Sequence, residues 1–394
     1  MSDEPDPFCK TLPTQLRAWD ATSLRAYQEC PRKYQYAIVE GYRRPGNIHT
    51  FWGGAYHSAI ETYDRARIAG ASKEDALDEA LNCALCESGQ YEVQDYKGDW
   101  VPYQIADETP PDINGRWVPW GSQWVSGWRC TDEGPLLKSG PNKGQPDPRR
   151  RCANAKQDNE GAVPPMCPAC GKPVVETHGW KHEDEAKNRH TLLRAVVWYV
   201  DEQPEEGAVQ PYVFPDGRPG VEVSFQVPLP LPSPDGEPYI LCGHIDSFAQ
   251  FGEEVGPRER KSTMKTLGPW YFDRYSPDIQ IDTYDLVSTL LFPDIAAKWV
   301  MLEATQTSAG FAKFQRQFIY NTEGRRAEHL QDTMYWIKRA EADAQAGYYP
   351  QNKASCYAHG GCPFREICNT DPSTRESWLK SRYVVNKWNP LRER

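Results

Sequence analysis

The chain has 394 residues, of which 39% are hydrophobic and 25% are charged, a composition typical of folded domains and not of a disordered chain. Its formal net charge of −10 argues against a protein that coats nucleic acid through a uniformly basic surface. No apolar run approaches the roughly 18 residues that a membrane span needs, so no membrane partner is expected. The acidic start MSDEPDPFCK lacks the apolar region of a signal peptide, and we expect a cytoplasmic, intracellular protein.

The predicted elements fall into three consecutive regions. Residues 1–95 are mostly helical, because a capping signal precedes LRAYQEC and two later stretches carry apolar residues three to four positions apart. Residues 96–182 are dense in Gly, Pro, Asp and Trp and predict an irregular insertion. Residues 183–394 contain a helix at 183–203, two strands around the turn PSPDGEP, and further helices.

The stretch GHIDSFAQFGEEVGPRERKST carries the most informative chemical pattern. Asp246 ends one predicted strand, while Glu259 and Lys261 lie two positions apart in the next, so both point to one face, toward Asp246. Two carboxylates placed in this way form a hard-oxygen site suited to Mg²⁺ or Mn²⁺. The Lys261 ammonium can orient a water or stabilise developing negative charge on a phosphate. Gln280 and Tyr284 follow, one helical turn apart on a shared face.

Each of these pairs alone is an ordinary surface pattern, and the information lies in their order. Asp, then E-x-K, then Q-x-x-x-Y resembles the RecB-like branch of the PD-(D/E)XK nucleases. That branch also places a histidine on an early helix after a small-residue turn, and His57 in FWGGAYHSAIE matches it. The resemblance therefore implies that His57 joins the two carboxylates as a metal ligand.

The same resemblance implies an α/β fold with a central mixed sheet flanked by helices. It also implies that the substrate is DNA, with Gln280 and Tyr284 placing the DNA strand or the helix of the site. The residues to which it assigns catalytic roles are Asp246, Glu259, Lys261, Gln280 and Tyr284.

Cys30 stands in CPRKYQY with no other cysteine at local metal-binding spacing. Near the end of the sequence, CYAHGGCPFREIC holds Cys356, Cys362 and Cys368, with five residues between neighbours. Similar openings with three late cysteines occur in the AddB nuclease domain, the exonuclease V family and the CRISPR-associated RecB-like exonucleases. The resemblance implies that Cys30 and these three bind a [4Fe–4S] cluster. Thiolates suit zinc as well as iron–sulfur, and free structural thiols are a further interpretation.

The insertion carries a second group of cysteines. Cys167 and Cys170 in PPMCPACGKPV form a knuckle of the zinc-ribbon type, and Cys130 and Cys152 are the predicted remaining ligands of Zn²⁺. His178 and His182 are alternative candidates for this role. Another C-x-x-C, at residues 83–86, lies in a helical stretch where packed thiols are the simpler interpretation. A region with so little predicted regular structure needs a metal to become ordered.

A cluster of tryptophans and a basic loop also lie in the insertion; the cluster comprises Trp100, Trp117, Trp120, Trp124 and Trp128. The tryptophans form either a small core or a platform for stacking bases. Arg149, Arg150 and Arg151 either contact DNA phosphates or belong to a solvated loop.

Together these patterns predict a metal-dependent DNA nuclease, an exonuclease in DNA recombination, repair or phage DNA processing. No G-x-x-x-x-G-K-[ST] motif occurs in the sequence, so a separate helicase or recombination protein is the expected protein partner.

The alternative is a non-catalytic DNA-binding subunit built on a nuclease scaffold. The intact Asp246, Glu259 and Lys261 argue against it, because a decayed site usually loses one of them. A third interpretation, a zinc-ribbon adaptor for transcription, would explain the insertion but not the rest of the sequence.

Overall fold

The computed structural model describes residues 5–44, 47–94, 100–102, 115–119, 121–136, 145–146, 152, 154–157, 164–202 and 209–392. The chain divides into two compact units. We call Met1–Leu85 with Leu192–Arg394 the core unit, and Cys86–Thr191 the insertion unit. The insertion predicted from the sequence, 96–182, lies within the range of the second unit.

Helices and strands alternate along the core unit, while the insertion unit is built mainly from strands. The helices are α1 (Ala21–Glu29), α2 (Pro31–Tyr34), α3 (Ile48–Ile68), α4 (Lys73–Glu87), α5 (Arg189–Glu202), α6 (Pro269–Asp273), α7 (Ile279–Leu291), α8 (Glu323–Gln345), α9 (Arg365–Cys368) and α10 (Arg375–Arg382). The strands are β1 (Ala18–Trp19), β2 (Tyr42–Arg43), β3 (Gly89–Gln94), β4 (Trp100–Pro102), β5 (Gly115–Pro119), β6 (Ser122–Cys130), β7 (Ala155–Gln157), β8 (Val174–His182), β9 (Gln210–Pro211), β10 (Val221–Pro232), β11 (Pro238–Phe251), β12 (Glu254–Thr263), β13 (Val300–Thr307), β14 (Ala312–Ile319) and β15 (Val384–Val385). No helix among the described residues combines the length and the apolar character that a bilayer crossing requires.

A mixed seven-stranded sheet forms the centre of the core unit. Its main path is β1-β11-β12-β13-β14, and β9 and β10 also pair with β11. Strands β12 and β13 run parallel, whereas β11–β12 and β13–β14 are antiparallel. Helix α3 contacts β10 and β12, and α7 contacts β12 and β13. This arrangement confirms the predicted α/β class with a mixed sheet flanked by helices.

Strand β11 has two different partners along one of its edges. β1 pairs with it at Ile240 and Leu241, and β12 pairs with it from Ser247 onward. β10 already pairs with β11 over residues 240–247, so it must occupy the opposite edge. Among the described strands, residues 242–246 therefore have no neighbour on the edge that β1 and β12 share. We call this stretch the β11 gap.

The main hydrophobic core joins the sheet to the helices α1, α7 and α8. Trp19, Leu241, Ile281, Leu302 and Ile337 are buried members of a single cluster. Because these residues come from five separate elements, the cluster fixes helix α7 against strands of the central sheet.

Strand β12 buries two arginines on one of its faces. The exposed fractions of Arg258 and Arg260 are 2% and 4%, and the guanidinium groups of both contact the Asp64 carboxylate of α3. Arg258 also donates a hydrogen bond from Nε to Ser247 Oγ of β11 at 2.8 Å. Buried charges persist only when they are paired and hydrogen-bonded, so this contact fixes α3 on the sheet.

Glu303 of β13 extends the same buried network. It accepts hydrogen bonds from Arg316 Nε at 2.6 Å, from the Tyr199 hydroxyl at 2.9 Å and from Arg260 Nε at 3.2 Å. Burial raises the pKa of the Glu303 carboxyl, but the charges of Arg258, Arg316 and Arg260 outweigh burial and lower it to about 2. The carboxylate is thus held in its charged form by the arginines around it.

The insertion unit contains two small sheets, although the sequence predicts an irregular region there. β6 and β8 are antiparallel from Ser122–His182 to Cys130–Val174, and β7 pairs with β6 as well. β3 pairs with β4 and β5 in the other sheet. Ser126 and Gly127 interrupt the apolar residues of β6, which hides the two-residue period that identifies a strand.

We predict that Glu303→Gln lowers the free energy of unfolding by about 3–5 kcal/mol at pH 7, because it leaves buried arginines with one carboxylate fewer. The folded pKa of about 2 lies below the unfolded value of about 4.3, so the stabilisation is complete above the unfolded value. It is lost as the pH falls toward 2, and the difference between wild type and variant should shrink accordingly.

Urea denaturation of both proteins at pH 7 and at successively lower pH measures this difference. Glu328→Gln, at an exposed glutamate of α8, is the matched control and should change stability by less than about 0.5 kcal/mol. Equal losses for the two variants at pH 7 would contradict the role of the network.

Candidate active site

Asp246 lies at the end of the β11 gap, one residue before the pairing with β12 begins. Its Oδ2 accepts a hydrogen bond from the backbone N–H of Arg260 at 2.9 Å. The Asp246 side chain therefore replaces a backbone hydrogen bond between β11 and β12 at the point where these strands separate. It satisfies the backbone N–H donor of Arg260. As a result, the Asp246 carboxylate is held against the strand that carries E-x-K.

Glu259 and Lys261 lie on the face of β12 opposite to its buried arginines, as alternation along a strand requires. The Lys261 ammonium contacts Glu259 Oε1 and donates a hydrogen bond to Gln280 Oε1 at 2.9 Å. Gln280 Nε2 donates to Glu259 Oε2 at 3.1 Å and to the Tyr284 hydroxyl at 3.0 Å. The Tyr284 hydroxyl donates in turn to the backbone carbonyl of His244 in the β11 gap.

Helix α7 presents Gln280 and Tyr284 to this network because its start is fixed. Asp278 caps the helix by accepting hydrogen bonds from the backbone N–H groups of Gln280 and Ile281. Asp278 also forms an ion pair with Arg25 of α1 at 2.6 Å. The first turn of α7 therefore holds the amide of Gln280 between Lys261 and Glu259.

His57 reaches the same site from α3. Its Nδ1 lies 3.7 Å from Asp246 Oδ2, and its side chain is about one third exposed. A Cβ atom at Gly53, one turn earlier, would lie 3.3 Å from Ser262 Oγ of β12. The small residue before His57 thus allows α3 to approach the sheet closely, which brings the imidazole to Asp246.

Burial and the neighbouring Asp246 disfavour the charged form of Glu259. Burial, followed by the charge of Asp246, raises the pKa of Glu259 to about 8. Burial lowers the pKa of the Lys261 ammonium, but the charges of Glu259 and Asp246 outweigh burial and raise it. A buried, oxygen-rich site with excess negative charge is one that a divalent cation stabilises, and its donors are those that Mg²⁺ prefers. The residues present therefore fit the cation that the sequence predicts.

The four cysteines of the predicted iron–sulfur set meet in one cavity. Cys30, Cys356, Cys362 and Cys368 all line a cavity of about 630 Å³ in the core unit. Cys30 is buried at the end of α1, and its sulfur accepts a hydrogen bond from the backbone N–H of Asn352 at 3.2 Å. Residues separated by more than 300 positions in the sequence are thus neighbours in the structure.

The cysteines of the insertion unit approach one another more closely. The sulfurs of Cys130 and Cys170 lie 3.3 Å apart, and those of Cys152 and Cys167 lie 3.8 Å apart. All four sulfurs lie within 4.8 Å of one another. A tetrahedral zinc with Zn–S bonds of about 2.3 Å separates its sulfurs by about 3.8 Å, so the spacing fits a single ion.

The knuckle also favours the thiolate form of Cys167. Burial raises the pKa of this thiol, but the backbone N–H groups of Ala169 and Cys170 and the side chain of Asn154 outweigh burial and lower it to about 6. Metal ligation requires deprotonated sulfur. The local backbone therefore prepares one of the four sulfurs to bind a cation.

Within the described residues, those four cysteines are the sole group of ligand atoms that lie so close together. Cys30, Cys356, Cys362 and Cys368 also share a cavity, but their sulfurs are farther apart than those of the insertion unit. In the carboxylate site, Glu259 turns toward Lys261 and Gln280, while His57 approaches Asp246. The three sites thus differ in how closely their candidate ligands meet.

Some of the predicted residues cannot be placed. Trp128 is buried and packs against Cys130 and Cys167, as expected of a small core in the insertion unit. The side chains of the other four tryptophans lie outside the described part of the chain. The basic loop Arg149, Arg150 and Arg151 also lies outside the described residues. The base-stacking and phosphate-binding interpretations of these residues stay predictions.

One component of the site is not among the residues predicted from the sequence. The segment Asn386–Arg392 lines a cavity of about 550 Å³ together with Asp246, Gln280 and Tyr284. No motif marks this segment, and the only signal in the sequence is its polar and basic composition.

A family model described as the PD-(D/E)XK nuclease superfamily matches residues 18–111. This range contains Cys30 and His57 and ends before Asp246. The match supports the superfamily part of the resemblance for residues 18–111 alone. It does not distinguish the RecB-like branch.

No curated protein matches the chain. Among solved structures, the chain is similar to one titled "Crystal structure of SSO0001", with 15% sequence identity and a TM-score of 0.22. The alignment covers 38% of this chain and 59% of that chain, less than two thirds of its length.

Proposed function

We propose that this protein is a RecB-like, metal-dependent deoxyribonuclease that acts as an exonuclease in DNA recombination, repair or phage DNA processing. The observation that carries the proposal is the meeting of Asp246, Glu259 and Lys261 beside the β11 gap. These are the residue types that hydrolysis of a phosphodiester needs, and the superfamily match lies in the same chain.

Asp246 and Glu259 would hold Mg²⁺ or Mn²⁺, with His57 as a third ligand. When bound, the cation lowers the pKa of a coordinated water and stabilises charge on the phosphate. Lys261 supplies a fixed positive charge for the negative charge that develops in the transition state. Gln280 holds the Lys261 ammonium by a hydrogen bond of 2.9 Å, so that the charge is oriented before the substrate arrives.

The alternative is a non-catalytic subunit that binds DNA through a nuclease scaffold. A protein that only binds DNA does not need a lysine that is hydrogen-bonded to both a buried carboxylate and a glutamine. The complete network from Lys261 through Gln280 to Tyr284 therefore favours catalysis.

We propose that the cavity lined by Cys30, Cys356, Cys362 and Cys368 holds a [4Fe–4S] cluster. Four cysteines around one cavity supply the ligands that such a cluster needs, and spacing wider than that of a single ion suits a larger group. The cluster would tie α1 to the segment after α8, and its role would be structural.

We propose that Cys130, Cys152, Cys167 and Cys170 bind one structural Zn²⁺. The spacing of the sulfurs supports a closed four-thiolate site without a position for substrate. The ion would join β6 to the knuckle that precedes β8.

We predict that Asp246→Ala, Glu259→Ala and Lys261→Ala each reduce cleavage of end-labelled DNA with Mg²⁺ or Mn²⁺ by at least about 100-fold, since each removes a metal ligand or the adjacent charge. The folded structure should persist in circular dichroism. Asp294→Ala and Lys298→Ala, at exposed positions outside the site, should cleave at the wild-type rate. Wild-type cleavage by Lys261→Ala would show that the site is assigned wrongly.

We predict that Cys30→Ser removes the iron and the visible absorption of anaerobically purified protein and lowers its melting temperature, because the cluster closes a long loop. Cys9→Ser should retain full iron content, since Cys9 does not line the cavity. Iron analysis and absorption spectra of the two variants test this directly. A full cluster in Cys30→Ser would place the fourth ligand elsewhere.

We predict that the wild type contains about one zinc per chain and that the double variant Cys167→Ser/Cys170→Ser contains none. Iron content should stay unchanged, and residues 96–182 should become more sensitive to proteolysis. Cys86→Ser, at an exposed cysteine of the other C-x-x-C pair, is the control and should keep the zinc. Elemental analysis that finds no zinc in the wild type would refute the assignment.

A further inference from the structure

The cavity beside the carboxylates has one wall that the catalytic motifs do not supply. This wall is the segment Asn386–Arg392, which we call the wall segment. Residues of α1, β11 and α7 form the opposite side of the cavity, including Asp246, Gln280 and Tyr284. The wall segment and Asp246 therefore line the same cavity.

The wall segment is fixed to the core unit at both of its ends. Just before it, β15 pairs with β2, and the backbone N–H of Asn386 donates to the Gly41 carbonyl at 2.8 Å. At its other end, Leu391 is buried against Ala18 and Cys242, a residue of the β11 gap. The segment is thus an ordered part of the site.

Gly41 explains how closely the wall segment can approach. Its φ of +75° is a conformation that favours glycine, and a Cβ atom there would lie 3.1 Å from Lys387 Cα. Any larger residue would push the backbone of the wall segment outward. The position of Lys387 beside the cavity therefore depends on a glycine distant in sequence.

Cations predominate among the charged groups of this cavity. The protein has a net charge of −10, so such a local excess is not a consequence of overall composition. The only described carboxylates that line the cavity are Asp20, which caps α1, and Asp246. Its cationic lining residues are Arg25, Arg43, Lys387 and Arg392.

The two cations of the wall segment are more exposed than Arg25 and Arg43, which are partly buried. Arg25 is paired with Asp278, and Arg43 donates to the carbonyl of Asn386 and lies over the Trp388 ring. Lys387 and Arg392 are exposed. Because they are exposed, the side chains of Lys387 and Arg392 can meet a ligand from solvent.

We infer that the wall segment binds the backbone of the DNA strand that is being cut, with Lys387 and Arg392 contacting its phosphates on either side of the scissile bond. The inference rests on the proposed nuclease function and names the surface that holds its substrate. Contacts to phosphates make the binding independent of sequence.

The test measures binding of a fluorescein-labelled single-stranded oligothymidylate by anisotropy over a range of salt concentrations. All variants carry Asp246→Ala, which prevents cleavage, and the full-length protein is used. Lys387→Gln/Arg392→Gln should weaken binding by about tenfold or more at low salt. It should also reduce the slope of log K against log salt by about 1.4, because each lost phosphate contact on a single strand removes about 0.7.

Lys10→Gln/Lys313→Gln is the matched control, since it removes two exposed charges that do not line the cavity. Its affinity and salt slope should equal those of the parent. The same wall-segment substitutions in a protein with Asp246 intact should raise the KM for DNA cleavage more than they lower kcat, while circular dichroism stays unchanged.

Two results separate the possible failures. If the parent binds DNA and the wild type cleaves it, but both double variants bind equally well, the wall segment is not a DNA-binding surface and the nuclease proposal stands. If the wild type neither binds nor cleaves DNA with Mg²⁺ or Mn²⁺, the proposed function fails and the inference fails with it.

Discussion

The candidate active site depends on a gap in one edge of a single strand. β1 and β12 both pair with the same edge of β11, and residues 242–246 between them have no described strand neighbour there. Two polar groups of this stretch instead form hydrogen bonds with groups from other elements. The Asp246 carboxylate accepts a hydrogen bond from the backbone N–H of Arg260, and the His244 carbonyl accepts one from the Tyr284 hydroxyl. The separation of two strands thus creates both the space and the polar groups of the site.

The structure contains two arrangements of four cysteines, and their geometry differs. The sulfurs of the insertion unit meet at the spacing of one tetrahedral ion, and backbone N–H groups of the knuckle lie against Cys167. The other four cysteines surround a larger cavity and come from segments far apart in sequence. Short loops can impose close contact between sulfurs because few residues separate the ligands, whereas Cys30 lies more than 300 positions before its partners in the sequence.

Much of the candidate site could be predicted from the spacing of residues along single strands and helices. The rest depends on contacts between residues far apart in the sequence. Glu259 and Lys261 share a face because strands alternate, and Gln280 bonds to Tyr284 because residues four apart adjoin on a helix. The association of Cys30 with Cys356 came from the resemblance, since no local pattern encodes so distant a contact. The wall segment was missed because its place is set by long-range pairing of β15 with β2. The sheets of the insertion unit were missed because Gly and Ser obscure the strand period.

The alternation along β12 also limits how this protein can change in evolution. Arg258 and Arg260 are locked under α3 by Asp64, and Glu259 lies on the reverse side beside Lys261. One residue inserted or deleted within β12 would exchange these two sides for every position beyond it. Guanidinium groups would then enter the carboxylate site, and Glu259 would be buried against Asp64 without a cation. Homologous sequences should therefore keep the length of this strand constant and accept insertions and deletions in the loops that flank it.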